Sequence, residues 1–167
     1  MRGARWSMSD AIRELAALIR AHRQRLVAVH RSLQSALENE IVRLGKTPMS
    51  ALIVAGILEN YYTCLETIFQ RISQHFDNNL DPERWHSDLL QQMTLEIDGV
   101  RAAAVSQAAF SPLFELLKFR HFKRYYFELE YDWDRLDFLV AKLFQAHPLV
   151  LRDLERFERF MSALQES

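Results

Sequence analysis

A chain of 167 residues with 21 Lys and Arg against 22 Asp and Glu is long enough for a substantial core and has no bulk charge with which to coat nucleic acid. Any RNA or DNA site must therefore be a local patch. Four glycines, four prolines and an abundance of Leu, Ala, Arg, Glu and Gln predict an all-α fold. One cysteine, Cys64, excludes an internal disulfide and sits among apolar helix positions, as a small buried hydrophobe does in a reducing compartment. No apolar run approaches the ~20 residues of a membrane span, and the opening MRGARWSMSD has basic residues with no apolar stretch behind them. The expectation is a single cytoplasmic domain over residues 1–167.

In chain order, Ile12, Leu15, Ile19, Leu26, Val29, Leu33, Leu37, Ile41 and Leu44 recur at helical steps and predict one long amphipathic helix over 9–44. Ser9 and Asp10 are its candidate cap, and Gly45 with Pro48 its stop. A second helix is expected over 50–76, with Ile53, Ile57, Tyr61, Leu65, Ile68, Phe69, Ile72 and Phe76 on one stripe and Gly56 as a helix-crossing point. The turn cluster Asp77–Asp81 leads to a third helix from Pro82 or Glu83 carrying Trp85, Leu89, Leu90, Met93 and Ile97, with His86 a structural or surface histidine. The weakly patterned stretch 98–111 reads as a long loop of the kind often found near function. Ser111 and Pro112 are expected to start a fourth helix, and Asp132 to cap a fifth. His147 and Pro148 are expected to separate the fifth from a sixth over 149–165.

The stretch Phe119–Leu136, FRHFKRYYFELEYDWDRL, concentrates the chemistry. A basic knot, Arg120, His121, Lys123 and Arg124, is followed by Tyr125, Tyr126 and Phe127 and then by Glu128, Glu130, Asp132 and Asp134. The chain has no glycine-rich phosphate loop, nucleophile elbow or zinc-ligand spacing, so the candidate chemistry is acid–base work by side chains, with no cofactor and no metal. Lys123 and Arg124 can meet phosphate and Tyr126 can stack on a base, which makes these three the RNA-binding candidates.

Phe119–Leu136 resembles the signature of the HEPN superfamily, specifically its HepT-like subgroup, in which a helix carries Arg-x4-His, then Tyr two residues later, then an acidic stretch. Glu130–Leu136 (EYDWDRL), Pro82–Met93 (PERWHSDLLQQM) and Tyr61–Ile72 (YYTCLETIFQRI) are similar to further segments of that family. The resemblance implies an up-and-down bundle of five to six helices that forms a homodimer. It also implies a metal-independent endoribonuclease acting as a toxin beside a nucleotidyltransferase antitoxin. The motif's Arg falls on Arg120 and its following polar residue on His121, but its His falls on Tyr125 and its Tyr on Phe127. A tyrosine, with a reference pKa near ~10, cannot take a proton from a ribose 2'-hydroxyl without a large shift, and Phe127 lacks the hydroxyl that a partner could modify with AMP.

The catalytic candidates are thus Arg120, His121 and Tyr125. In one reading His121, four residues before Tyr125 and on its helix face, supplies the acid or base. In another the fold and basic groove persist without cleavage, leaving a dimeric RNA-binding or antitoxin-binding protein. In a third, Arg120 and Arg124 are structural and pair with Glu128 or Asp132 inside the bundle.

Overall fold

The computed structural model describes residues 8–77, 88–125 and 130–166, nearly all of them helical. Helix α1 (Met8–Ser35) runs on through a π turn, Ala36–Glu40, and a last α turn, Ile41–Leu44. Leu15, Ile19, Leu26 and Leu33, at four- and seven-residue steps, are its buried stripe. The helix is already formed at Met8, so Ser9 and Asp10 lie in its first turn rather than capping it. Gly45 ends it with φ at 71°, a left-handed conformation that glycine adopts at little cost.

Helix α2 (Pro48–Ile72), prolonged by a π turn at Ser73–Asp77, begins on a capping box that the sequence reading missed. Ser50 N donates to Thr47 Oγ1 at 3.1 Å while Thr47 N donates to Ser50 Oγ at 2.8 Å. Pro48 is therefore the first residue of this helix as well as part of the stop to the last. Val54, Ala55 and Leu58 face the core, whereas Ile53, expected there, points outward. Nothing lies within 4 Å of where a Gly56 side chain would start, so the expected crossing point is not present. Cys64 is half-buried, and burial holds its thiol up at about 11, as an inert structural cysteine.

The start of the third helix, with Trp85 and His86, lies outside the described residues. Helix α3 is described over Asp88–Met93 and stops short of Ile97, which instead bridges to Arg101 around Gly99. Arg101 is 2% exposed and organises this loop. Its guanidinium donates to Asp77 at 2.7 and 3.1 Å and to the Leu95 and Gln92 carbonyls at 2.9 and 3.0 Å. A loop of weak pattern is held in place because a buried cation must have its donors satisfied.

Helix α4 (Gln107–Tyr125) starts before Ser111, so Ser111 and Pro112 lie inside it. Ser106 takes the starting role instead, donating from N and Oγ to Asp153 Oδ2 at 2.8 and 2.7 Å. Asp132 caps α5 as expected, accepting from Asp134 N at 3.1 Å. Helix α5 (Trp133–Glu166) then continues through His147 and Pro148 without a break, so the fifth and sixth expected helices are one. Ala146, His147, Val150 and Leu154 are buried on either side of the proline, whose own ring is exposed. Their burial, at about 1.5–3 kcal/mol for a large apolar side chain, outweighs the ~3 kcal/mol of a helical proline.

Cross-contacts give the helix directions. His30 meets His147 and Arg23 meets Glu155, so α1 and α5 are antiparallel. Lys123 meets Glu59 and Arg120 meets Glu66, so α2 and α4 are antiparallel, while Tyr61 on His147 and Phe76 on Phe157 make α2 and α5 parallel. The result is an all-α up-and-down bundle of four long helices with the short α3 beside it. Trp133 Nε1 donates to the Thr47 carbonyl at 3.0 Å, fixing the start of α5 to the α1–α2 turn.

Inside the bundle the His30 and His147 rings stack with centroids 3.9 Å apart, and His147 Nδ1 lies 2.9 Å from the Tyr61 hydroxyl in a hydrogen bond. Burial first, and then the His30 ring, push His147 down to about 4; burial also lowers His30. The folded state therefore keeps His147 neutral over a range in which the unfolded chain binds a proton, and stability drains away as pH falls from about 6.5 towards 4. Chemical denaturation between these pH values should show a loss on the order of 2 kcal/mol larger for the wild type than for His147→Gln, the ring edge keeping some solvent screening. Equal losses would remove His147 as the cause.

Candidate functional site

The basic end of α4 is where the sequence concentrates its chemistry, and helix geometry divides it between faces. Leu113, Leu116 and Leu117 pack inward, and Arg120 follows them one turn on, its side chain 15% exposed and turned towards α2. Its guanidinium pairs with Glu66 Oε2 at 2.8 Å through Nη1, and Nε donates to Thr63 Oγ1 at 2.9 Å. Lys123, on the same side, reaches Glu59 Oε2 at 2.5 Å. His121 is exposed, about 100° round the helix from Arg120. Arg124 and Tyr125 complete the last turn of α4, but their side chains, like the whole of Tyr126 and Phe127, lie outside the described residues.

The in-bundle pairing weighed for Arg120 therefore exists, with Glu66 of α2 as its partner in place of Asp132; Glu128 lies outside the described residues. Glu66 is 3% exposed, and a carboxylate this buried needs a cation and well-formed hydrogen bonds. Burial first, and then the Glu66 charge, raise the nearby Tyr62 phenol, with Arg120 pulling the other way. Thr63, Glu66 and Glu59 were missed as site residues. The available signal was a charged residue between Leu65 and Ile68, where the apolar stripe of α2 leaves no room for an unpaired carboxylate.

Two properties of this arrangement bear on chemistry. The guanidinium is held in one orientation by an acid and a hydroxyl on a neighbouring helix, while a fork of five N–H groups has more donors than these two contacts use. A fixed cation of this kind can meet a phosphate. Among the described residues no group of three or more His, Cys, Asp or Glu could hold a metal ion, and no helix is long and apolar enough to cross a membrane.

A family model of HepT-like proteins matches residues 53–161, more than half of the chain. The chain belongs to the HepT-like family, and through it to the HEPN superfamily. The match spans α2, α4 and most of α5, and so takes in both sides of the Arg120–Glu66 contact. Comparison with curated proteins and with solved structures gave no match.

Removing either partner should expose how far the pair holds α2 to α4. Glu66→Gln, which leaves a partly buried guanidinium without its counter-ion, is expected to cost about 2 kcal/mol in urea denaturation. Arg120→Met should cost more, and the double variant Glu66→Gln/Arg120→Met less than the sum of the two. Additive losses would mean that the residues do not interact.

Proposed function

We propose that this chain is the HepT-like component of a toxin–antitoxin pair, a HEPN-type metal-independent endoribonuclease fold whose cleavage is impaired. One observation carries the reading: Arg120 is seated by Glu66 and Thr63 at the end of α4, in a motif whose histidine position is occupied by Tyr125. In metal-free RNA cleavage a base takes the 2'-hydroxyl proton while a cation stabilises the charge gathering on the phosphorane. Arg120 is suited to the second task. Tyr125 is a poor base near neutral pH, and His121, exposed on the same helix, is the remaining side chain here that can exchange a proton there. Lys123, Arg124 and Tyr126 are assigned to holding the RNA.

The Glu66 carboxylate favours a second reading. It offsets the charge of Arg120 and so weakens transition-state stabilisation more than ground-state contact. On that reading the protein is a dimer that binds RNA or a nucleotidyltransferase antitoxin without cutting. Phe127 removes the acceptor for AMP, so such an antitoxin would act by binding.

The test incubates labelled single-stranded RNA and tRNA with the protein in EDTA. Slow cleavage abolished in Arg120→Lys, which keeps the charge but loses the fork, supports the ribonuclease. Tyr125→His should then raise the rate by about 10²-fold, the lower end of what a positioned acid–base group supplies. No cleavage by a folded Tyr125→His variant, together with salt-sensitive RNA binding lost in Arg120→Lys, gives the second reading.

The homodimer that goes with either reading has a face that suits it. Met49, Ile53, Gly56, Asn60 and Thr63 follow one another at three- and four-residue steps along the outward side of α2, leading from exposed apolar residues to the partner of Arg120. The open space over Gly56 lets a second backbone approach closely. The Cβ of a Gly56→Arg side chain meets nothing within 4 Å, so the variant should fold normally yet sediment as a monomer where the wild type is a dimer. A dimeric Gly56→Arg would move the interface to another face.

A further inference from the structure

The cavity between the end of α4 and the start of α5 has no part in the reading above. It has a volume of about 210 Å³, below the ~300–1,000 Å³ of sites for drug-sized ligands, and admits one flat group or one side chain. Its walls are apolar and aromatic: Phe119 and Leu136 from the core, with Phe122 and Tyr131 half-buried above them. The Phe119 and Tyr131 rings lie 6.0 Å apart and 59° inclined, so they form a corner rather than a closed stack. Glu130, Asp132 and Arg135 are exposed at the rim.

We propose that this cavity seats an arginine side chain from a basic segment of a protein partner. Among the described residues the rim carries two carboxylates against one guanidinium, and exposed Asp134 follows in the first turn of α5. The charge of these groups favours a cation over a polyanion. The positive end of α5 does not reverse this, because Asp132 already accepts from Asp134 N and supplies the anion that a helix start favours.

The aromatic walls select among cations. A guanidinium plane can lie on the Tyr131 face while its edge meets Glu130 in a paired hydrogen bond. A lysine ammonium does only one of these at a time. Phe119 and Phe122, three residues apart, share a face of α4 different from that by which Arg120 meets α2. The cavity and the Arg120 site are therefore separate surfaces, and this inference stands whether or not the protein cleaves RNA.

The experiment titrates the wild-type protein with acetyl-Gly-Arg-Gly-Arg-Gly-amide and follows backbone amide shifts by two-dimensional NMR. Saturable shifts are expected at residues 130–136. The citrulline peptide, equal in shape and uncharged, should bind at least about ten-fold more weakly, the lysine peptide about five-fold more weakly, and 0.5 M salt should weaken the arginine peptide. Glu130→Gln, at an exposed position, and Tyr131→Leu, which keeps the apolar volume and loses the ring, should each lower affinity about five-fold with RNA binding at Arg120 unchanged. Equal binding of arginine and citrulline peptides, shifts that do not saturate, or tighter binding of GMP or AMP at the same residues would overturn the proposal, the last in favour of a base-binding pocket. Failure here leaves the Arg120 assays untouched, so the two readings fall separately.

Discussion

A carboxylate buried in the middle of a helix has to be met, and the need to meet Glu66 governs how α4 lies in this bundle. The apolar stripe of α2 would accept α4 at several rotations about its axis, because Leu, Ile and Phe surfaces are not directional. The pairing of Glu66 with Arg120, backed by Thr63 on one side and by Lys123 on Glu59 a turn away, accepts one. Leaving Glu66 without its cation would strand a charge that is 3% exposed. The interaction that orients the helix is therefore also the one that fixes Arg120, the arginine of the proposed site.

The frame was largely legible because periodicity reports burial directly. The long first helix, the Asp132 cap and the all-α class follow from apolar spacing and local capping chemistry, and each is found in place. Two of the errors share one cause, which is that local signals were overruled by contacts from elsewhere in the chain. Pro148 carries every local mark of a break, yet α5 passes through it because His147 stacks on His30 and bonds to Tyr61, 86 residues away in sequence. Ser111 and Pro112 look like a helix start, but Asp153 of α5 claims Ser106 for that role. No reading of one segment can supply a partner that lies on another.

The same limit explains which parts of the site could be read. Arg120, His121 and Lys123 announce themselves as a cluster of base in an apolar helix, whereas Glu66 is a lone acid whose importance depends on what packs against it. Gly56 was legible as an anomaly, but the helix expected to cross it is not there. A helical glycine costs about 1 kcal/mol relative to alanine, and the explanation for accepting that cost was sought in a neighbouring helix of the same bundle. The space above it is open, so no such helix is found there.

Neighbouring residues on an α-helix stand about 100° apart, and this bears on any chemistry proposed at the end of α4. Arg120 is turned onto α2, and His121, one residue on, is exposed on a different side of the helix. The cation and the imidazole therefore do not share a single helix face. Under the proposed reading the His121 that acts beside Arg120 can belong to a second copy, and the outward side of α2, with Thr63 at its edge, is the surface that adjoins Arg120. Oligomeric state and cleavage then become one question: a second copy across α2 could supply the proton-transfer group that Tyr125 does not, and a monomer could hold RNA at Arg120 without the means to cut it.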